Sequence, residues 1–206
     1  MNTDALQVPA SSFIHPLTSV VERLDLGRLF ARAQPLEIEL GSGDGSFLAQ
    51  YAGRHRARNF MGVERLLGRL RKLDRKATRL GLENVRAVRI EAAYFLERLL
   101  PPGSAAAVHI YFPDPWPKRR HHKHRLINER FPLMAREALA DEGVIYLRTD
   151  DADYFGRMKE VFGACAFFSE TPTPQELAST LTDFERGFLE RGIQTLRAAF
   201  RKIKHQ

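Results

Sequence analysis

The sequence predicts an α/β fold in which a parallel sheet is covered by helices on both faces. Three observations predict it. Short apolar runs alternate with longer amphipathic stretches along most of the chain, the signature of repeated strand-helix units. The glycine-rich turn "GSGDG" follows directly on the first apolar run, where an open α/β sheet meets its ligand. The run "AAVHIYF" is apolar nearly throughout, as in a strand buried on both faces. With 206 residues, 44% hydrophobic and 28% charged, the chain is long enough for one sizeable core.

The first strand is "LEIEL" (36–40), ended by the glycine turn, after which "SFLAQYA" has helical character. "NFMGVE" (59–64) is the second, followed by a charged amphipathic helix to about Leu80 that "GLEN" stops. "VRAVRI" (85–90) is the third, with a short helix around Tyr94–Leu100 and a "PPG" turn behind it. "AAVHIYF" (106–112) is the fourth, then a helix at about 125–140 and "GVIYLRT" (143–149). A helix at 152–163, "CAFFS" (165–169), a proline-rich loop and "TLRAAFRK" (195–202) complete the series. Residues 1–35 stand apart as an N-terminal segment from the main domain, 36–206. In that segment "LTSVVERLDLGRLFARA" fits an amphipathic helix, and what precedes it is expected to be loosely held.

No apolar run approaches the ~20 residues that span a bilayer. The start, "MNTDALQVPASSF", lacks a basic segment leading into an apolar one, so a cytoplasmic protein is expected, with no membrane partner. Cys165 has no second cysteine to pair with and reads as a buried, inert thiol. The net charge is +7, and its placement matters more than its size. One concentration is Lys118, Arg119, Arg120, Lys123 and Arg125. A second runs from Arg54, Arg56 and Arg58 through Arg65 and Arg69 to Arg79. Clusters of this kind are the footprint of a polyanion, whose counterions Lys and Arg displace; for the second cluster a solvated helix face is the alternative.

Three motifs carry chemistry. In "ELGSGDG", Gly41, Gly43 and Gly45 permit a tight turn and close approach of a ligand to the backbone. A dinucleotide fingerprint would place glycine where Ser46 stands, which disfavours a dehydrogenase. Glu39 precedes the loop. Glu64, ending the second strand, is where an acid takes ribose hydroxyls, and Glu91, ending the third, lies where an adenine ring would sit. A strand-terminal acid taken singly is usually solvated; three adjacent strand ends marked by acids or glycines are harder to dismiss.

The second motif is "YFPDPWPKRRHHKHR". Pro113 and Pro115 hold Asp114 in an extended turn, and Trp116 is placed to stack on a base. A proline-rich turn with a core tryptophan and a solvated basic run is the alternative. His121, His122 and His124 lack a nearby Cys or carboxylate to complete a ligand set, so no metal is expected. The third is "TDFERGFLERG", where Thr182 and Glu185 offer a hydroxyl and a carboxylate to a base edge; a helix cap of the S/T-x-x-E type fits equally well.

"ELGSGDG", "NFMGVE", "YFPDPWPKRRHHKHR", "YLRTDDADY" and "TDFERGFLERG" occur in an order and spacing that resembles the bacterial tRNA (guanine-N7-)-methyltransferases, the TrmB family, over roughly Leu36 to Arg201. The resemblance implies a class I S-adenosylmethionine-dependent methyltransferase fold: a Rossmann-like seven-stranded sheet, mostly parallel, with an antiparallel last strand. It implies S-adenosylmethionine as cofactor, tRNA as partner, and methylation of guanine N7 at position 46 in the variable loop. Carried over by motif, Glu39, Gly41, Gly43, Gly45, Glu64, Glu91 and Asp114 contact the cofactor, and Asp114 is also catalytic. Lys118, Asp150, Thr182, Asp183, Phe184 and Glu185 contact the substrate, while Arg119, Arg120, Lys123 and Arg125 hold the tRNA backbone. The chain departs from the family at Glu91, where Asp or Asn is usual, and at Asp183, where Lys is common. The expected assembly is a monomer or homodimer. The alternatives are another nucleic-acid N-methyltransferase and a non-catalytic RNA-binding protein.

Overall fold

The computed structural model describes residues 12–204, so most of the N-terminal stretch expected to be loosely held lies outside the described residues. The strands are β1 (Ile14–His15), β2 (Leu36–Leu40), β3 (Asn59–Val63), β4 (Val85–Val88), β5 (Ala105–Tyr111), β6 (Leu139–Thr149), β7 (Phe168–Thr171) and β8 (Leu196–Lys202). They form one sheet in the order β1-β4-β3-β2-β5-β6-β8-β7, with β8 antiparallel to both β6 and β7 and the other pairs parallel. The seven strands from β2 to β8 are those the sequence predicts. The eighth is the two-residue β1, too short to leave a pattern. Its pairing with Ala87 and Val88 is reinforced by Asp74, whose carboxylate accepts from the Ser12 hydroxyl (3.1 Å) and the Phe13 N–H (2.7 Å).

Every residue of β2 and β3 is buried because a core lies on each side of the sheet. On one side α2 (Ser46–Arg54) and α3 (Leu67–Arg79) set Phe47, Leu48, Leu70 and Leu73 against Phe60 and Val85. On the other, α5 (Phe131–Ala138) and α6 (Ala152–Gly163) set Phe131 and Phe162 against Ile38, Ile110 and Ile145. Strand alternation puts Leu36, Ile38 and Leu40 on the second side and leaves Glu37 and Glu39 on the first. Among the described residues no helix is long and apolar enough to cross a membrane.

Some boundaries differ from expectation. The long helix expected at 17–33 shrinks to α1 (Leu26–Leu29). Asp25 caps it through the N–H groups of Gly27 and Arg28, and burial begins only at Leu29 and Phe30, while Val20 and Val21 face solvent. Upstream the chain is held by tertiary contact instead, as in the Leu24 N–H bond to the Leu99 carbonyl (2.8 Å). The helix expected from 125 starts at Phe131, with proline in its first turn, and Arg119–His124 forms a 3-10 segment of its own. The sixth expected strand moves to Phe168–Thr171 because Cys165 closes a turn behind α6; its thiol is half-buried. A three-residue α4 (Ala92–Tyr94) runs into a wider turn, Phe95–Leu99, and α7 (Gln175–Ser179) and α8 (Asp183–Leu189) occupy the stretch before β8.

The glycine turn depends on Gly45 most. Its φ is +72°, and a Cβ there would lie 2.3 Å from Leu73 Cδ1, where α2 packs on α3. Gly41 has φ +77° but open space around the missing Cβ. Gly41→Ala should therefore cost only the left-handed conformation, about 1–2 kcal/mol. Gly45→Ala adds an overpacking cost of about 1–3 kcal/mol to that. Denaturant unfolding of both variants checks the order; equal losses would remove the packing argument.

Candidate active site

The strands β2 to β5 end on one side of the sheet, and a cleft of ≈ 360 Å³ opens there. Gly41, Glu64 and Glu91 line one part of it, and Tyr111, Asp114 and Trp116 another. The loop after β2 is shaped by backbone bonds: Gly41 and Ser42 N–H donate to the Val63 carbonyl (2.8 and 3.0 Å), and Gly45 N–H to that of Ser42 (2.9 Å). The Glu64 carboxylate joins this loop to the start of α3, accepting from the Gly43 N–H (3.1 Å) and the Leu66 N–H (2.8 Å). Each of its oxygens keeps a lone pair for the cleft. Glu91 is exposed at the rim and caps α4 by accepting from Ala93 and Tyr94 N–H (2.9 and 2.7 Å).

Glu39 is 4% exposed, and its Oε2 has no hydrogen-bond partner; the Ser42 hydroxyl, also buried, is likewise unpartnered. Burial pushes the Glu39 carboxyl well above the usual range. Arg148 pulls the other way, while the nearby Asp44 and Glu64 add to the rise. A buried oxygen without a donor is costly and marks a place where a ligand donor fits. Because the folded-state value is raised, the folded protein keeps a proton that the unfolded chain has lost. Stability should therefore fall as pH rises from near 4.5 toward the raised value. Urea unfolding across that range, wild type against Glu39→Gln, should show this slope only in the wild type; parallel curves would contradict it.

Asp114 lies in a strained turn. Phe112 (φ +52°) and Trp116 (φ +45°), on either side of Pro113–Pro115, both take the left-handed conformation that side chains avoid. The turn is held at both ends, by the Phe112 N–H on the Arg148 carbonyl (2.8 Å) and by Arg125 Nε on the Pro115 carbonyl (2.7 Å). Asp114 itself stays exposed at the cleft. Trp116 is 37% exposed rather than a core residue, and packs with the rings of His124 (5.1 Å) and His121 (5.9 Å). Arg119, Arg120 and Lys123 are exposed on the 3-10 segment, and Lys118 is exposed just before it. Arg125 turns inward: it is 5% exposed, pairs with Asp153 (2.7 Å) and lies over the Tyr154 ring (4.7 Å).

Thr182 and Glu185 form a reciprocal capping box at the start of α8. Glu185 is fully buried, with one oxygen on Arg148 (2.7 Å) and the other on Arg197 (2.7 Å). Arg148, 1% exposed, also donates to the carbonyls of Thr180 and Leu177, and its guanidinium sits 4.1 Å from the centre of the Tyr111 ring. Neither Thr182 nor Glu185 lines the cleft. Asp183 and Phe184, on the same helix, are exposed, with the Phe184 ring 6.2 Å from that of Phe112. Asp183 also lies 3.8 Å from Lys76, which pairs with Asp44 of the glycine loop (2.7 Å). Asp150 is exposed just beyond β6.

Sequence reasoning passed over Arg148 and a second buried group. His109 bonds to the Tyr111 hydroxyl (2.8 Å) and to Glu37 (2.7 Å), which also pairs with Arg58 (2.5 Å). The signal was present: Glu37 and His109 each stand between apolar residues of a strand, Arg148 follows the apolar run of another, and buried polar groups require partners.

This strand order, with a glycine loop after the central strand and acids at the neighbouring strand ends, defines a class I S-adenosylmethionine-dependent methyltransferase fold. The 16S rRNA methyltransferase KamB matches it with a TM-score of 0.64 over 87% of this chain and 93% of that one, at 13% identity. Residues 33–198 match the family described as "Putative methyltransferase". The tRNA (guanine-N(7)-)-methyltransferase of Alkalilimnicola ehrlichii is 36% identical over 186 residues, 88% of this chain and 78% of that protein. That of Halorhodospira halophila is 36% identical over 176 residues, 83% and 76% of the two chains. The chain belongs to this tRNA (guanine-N(7)-)-methyltransferase family.

Proposed function

We propose that this protein methylates N7 of guanosine 46 in the variable loop of tRNA. The observation that supports this best is the exposed Asp114 in a strained turn, sharing one cleft with the glycine loop, Glu64 and Glu91. S-adenosylmethionine supplies the methyl group, activated on a sulfonium. Glu39, with its unpartnered oxygen, suits the ammonium of that molecule. Glu64 would take its ribose hydroxyls and Glu91 would lie beside its adenine, with Gly41 at the cleft giving close access to the backbone, while Gly45 serves the packing of α2 on α3.

Guanine N7 carries a lone pair and no proton, so no general base is needed. Positive charge moves onto the purine during transfer, and the Asp114 carboxylate orients the ring and stabilises that charge. Trp116 and His124, both at the cleft, stack on the base. Lys118, Arg119, Arg120 and Lys123 hold the backbone without reading sequence. Arg125 acts through the turn it pins. Asp150, Asp183 and Phe184 face the substrate, and Thr182 and Glu185 fix the helix that presents them. With a tRNA substrate, the proposed reaction is a cytoplasmic one.

Two measurements test this reading. The variant Arg119→Ala/Arg120→Ala/Lys123→Ala should weaken tRNA binding and flatten its dependence on salt, since each lost phosphate contact removes about 0.7–0.9 from the log–log slope. Unchanged affinity would make the run a solubility feature. Digestion of tRNA labelled from a methyl-labelled donor should yield 7-methylguanosine; label on an exocyclic amine would favour a different N-methyltransferase.

A further inference from the structure

We propose that the outer face of α3 is a second tRNA-backbone surface, so that the RNA is gripped on both sides of the cleft; this rests on the tRNA reading above. Helix α3 buries Leu70, Leu73 and Ala77. At 3.6 residues per turn, Arg71, Lys72, Arg75 and Arg79 fall within about 100° of arc on the opposite side, along ~12 Å of helix. All four are exposed, and none forms an ion pair or side-chain hydrogen bond among the described residues. The one acid of the helix, Asp74, is turned to the N-terminal segment, where it accepts from Ser12 and Phe13. Lys76 is likewise occupied, by Asp44. The stripe is thus left without counter-charge, and its repulsions at i,i+4 weigh against the helix. A polyanion laid along it removes that penalty and releases its own counterions.

The position of the stripe fits this partner. The cleft is bordered by Arg65 just before α3 and by Arg69 in its first turn, which lies 3.7 Å from Glu64, and, from the β5 side, by Asp114 and Trp116, which lead into Lys118–Lys123. Strands β3 and β5 flank β2 in the sheet, so the two cationic arrays, which follow those strands in the chain, come from opposite sides of β2. A guanine in the cleft would have its own strand on one array, while only a folded RNA with a further arm reaches the other. The α3 face therefore selects for tRNA over a short stem-loop carrying the same guanosine.

The test crosses two proteins with two RNAs. On full-length tRNA, Arg71→Gln/Arg75→Gln/Arg79→Gln should raise KM about tenfold with kcat within twofold, and make the salt slope shallower by about 2. On the stem-loop its kcat/KM should stay within twofold of wild type. The corresponding triple Lys variant, which keeps the charge, should behave as wild type on both. Equal losses on both RNAs, or no loss on tRNA, would overturn the proposal. A wild-type protein that methylates neither RNA would overturn the tRNA reading itself, and this proposal with it.

Discussion

Asp114→Asn should lower the single-turnover rate of guanine methylation about 10²-fold while leaving the fold intact. Asparagine keeps the shape of the side chain and one oxygen, removes the charge and replaces the other oxygen by a donor. Once a bound base covers the cleft and excludes water, a fixed group aimed at developing charge contributes about 10²–10³ in rate, so losing it should cost roughly 3 kcal/mol of transition-state stabilisation. The turn does not depend on the carboxylate. It is held by the Phe112 N–H, the Arg125 guanidinium and the two prolines. Unfolding midpoints should therefore match wild type, and tRNA affinity should change little because the phosphate contacts lie elsewhere. A loss of less than about threefold in rate would remove Asp114 from the mechanism.

Arg148→Met should destabilise the protein by about 3–5 kcal/mol, the largest stability effect expected of a single substitution here. The side chain lies between β6 and the C-terminal helices and is shut off from water. Removing it leaves the fully buried Glu185 with Arg197 as its one remaining charged partner, and it strands the Thr180 and Leu177 carbonyls. Breaking a buried pair costs far more than replacing both members. Arg148→Met combined with Glu185→Leu should accordingly recover part of the loss, short of about 1 kcal/mol for the capping box. Urea unfolding followed by two probes checks this. A single-variant cost below about 1 kcal/mol would mean that water reaches the pair.

The strands were legible in the sequence because the sheet is buried on both sides, which leaves runs such as "NFMGV" almost wholly apolar. Helices with a clear apolar stripe, α3 above all, were legible for the same reason. What escaped was set by contacts distant in sequence. β1 exists through Asp74 and Ala87, and the short α1 is fixed by contacts to the stretch before β5. At the cleft, the glycine loop, the strand-end acids and the "PDPW" turn could be seen in order. The inward turn of Arg125 could not, because its partner Asp153 is 28 residues away. The same holds for Glu185: its spacing to Thr182 announced a capping box, but nothing local announced Arg148.

The central claim is methyl transfer to N7 of one guanosine in tRNA. Its most direct test uses two unmodified transcripts of one tRNA, with guanosine or adenosine at position 46, reacted with excess methyl-labelled S-adenosylmethionine. The expected result is about one label per guanosine-bearing transcript, recovered as 7-methylguanosine, and none in its partner. Equal labelling of the two transcripts, or label in any other nucleoside, would contradict it.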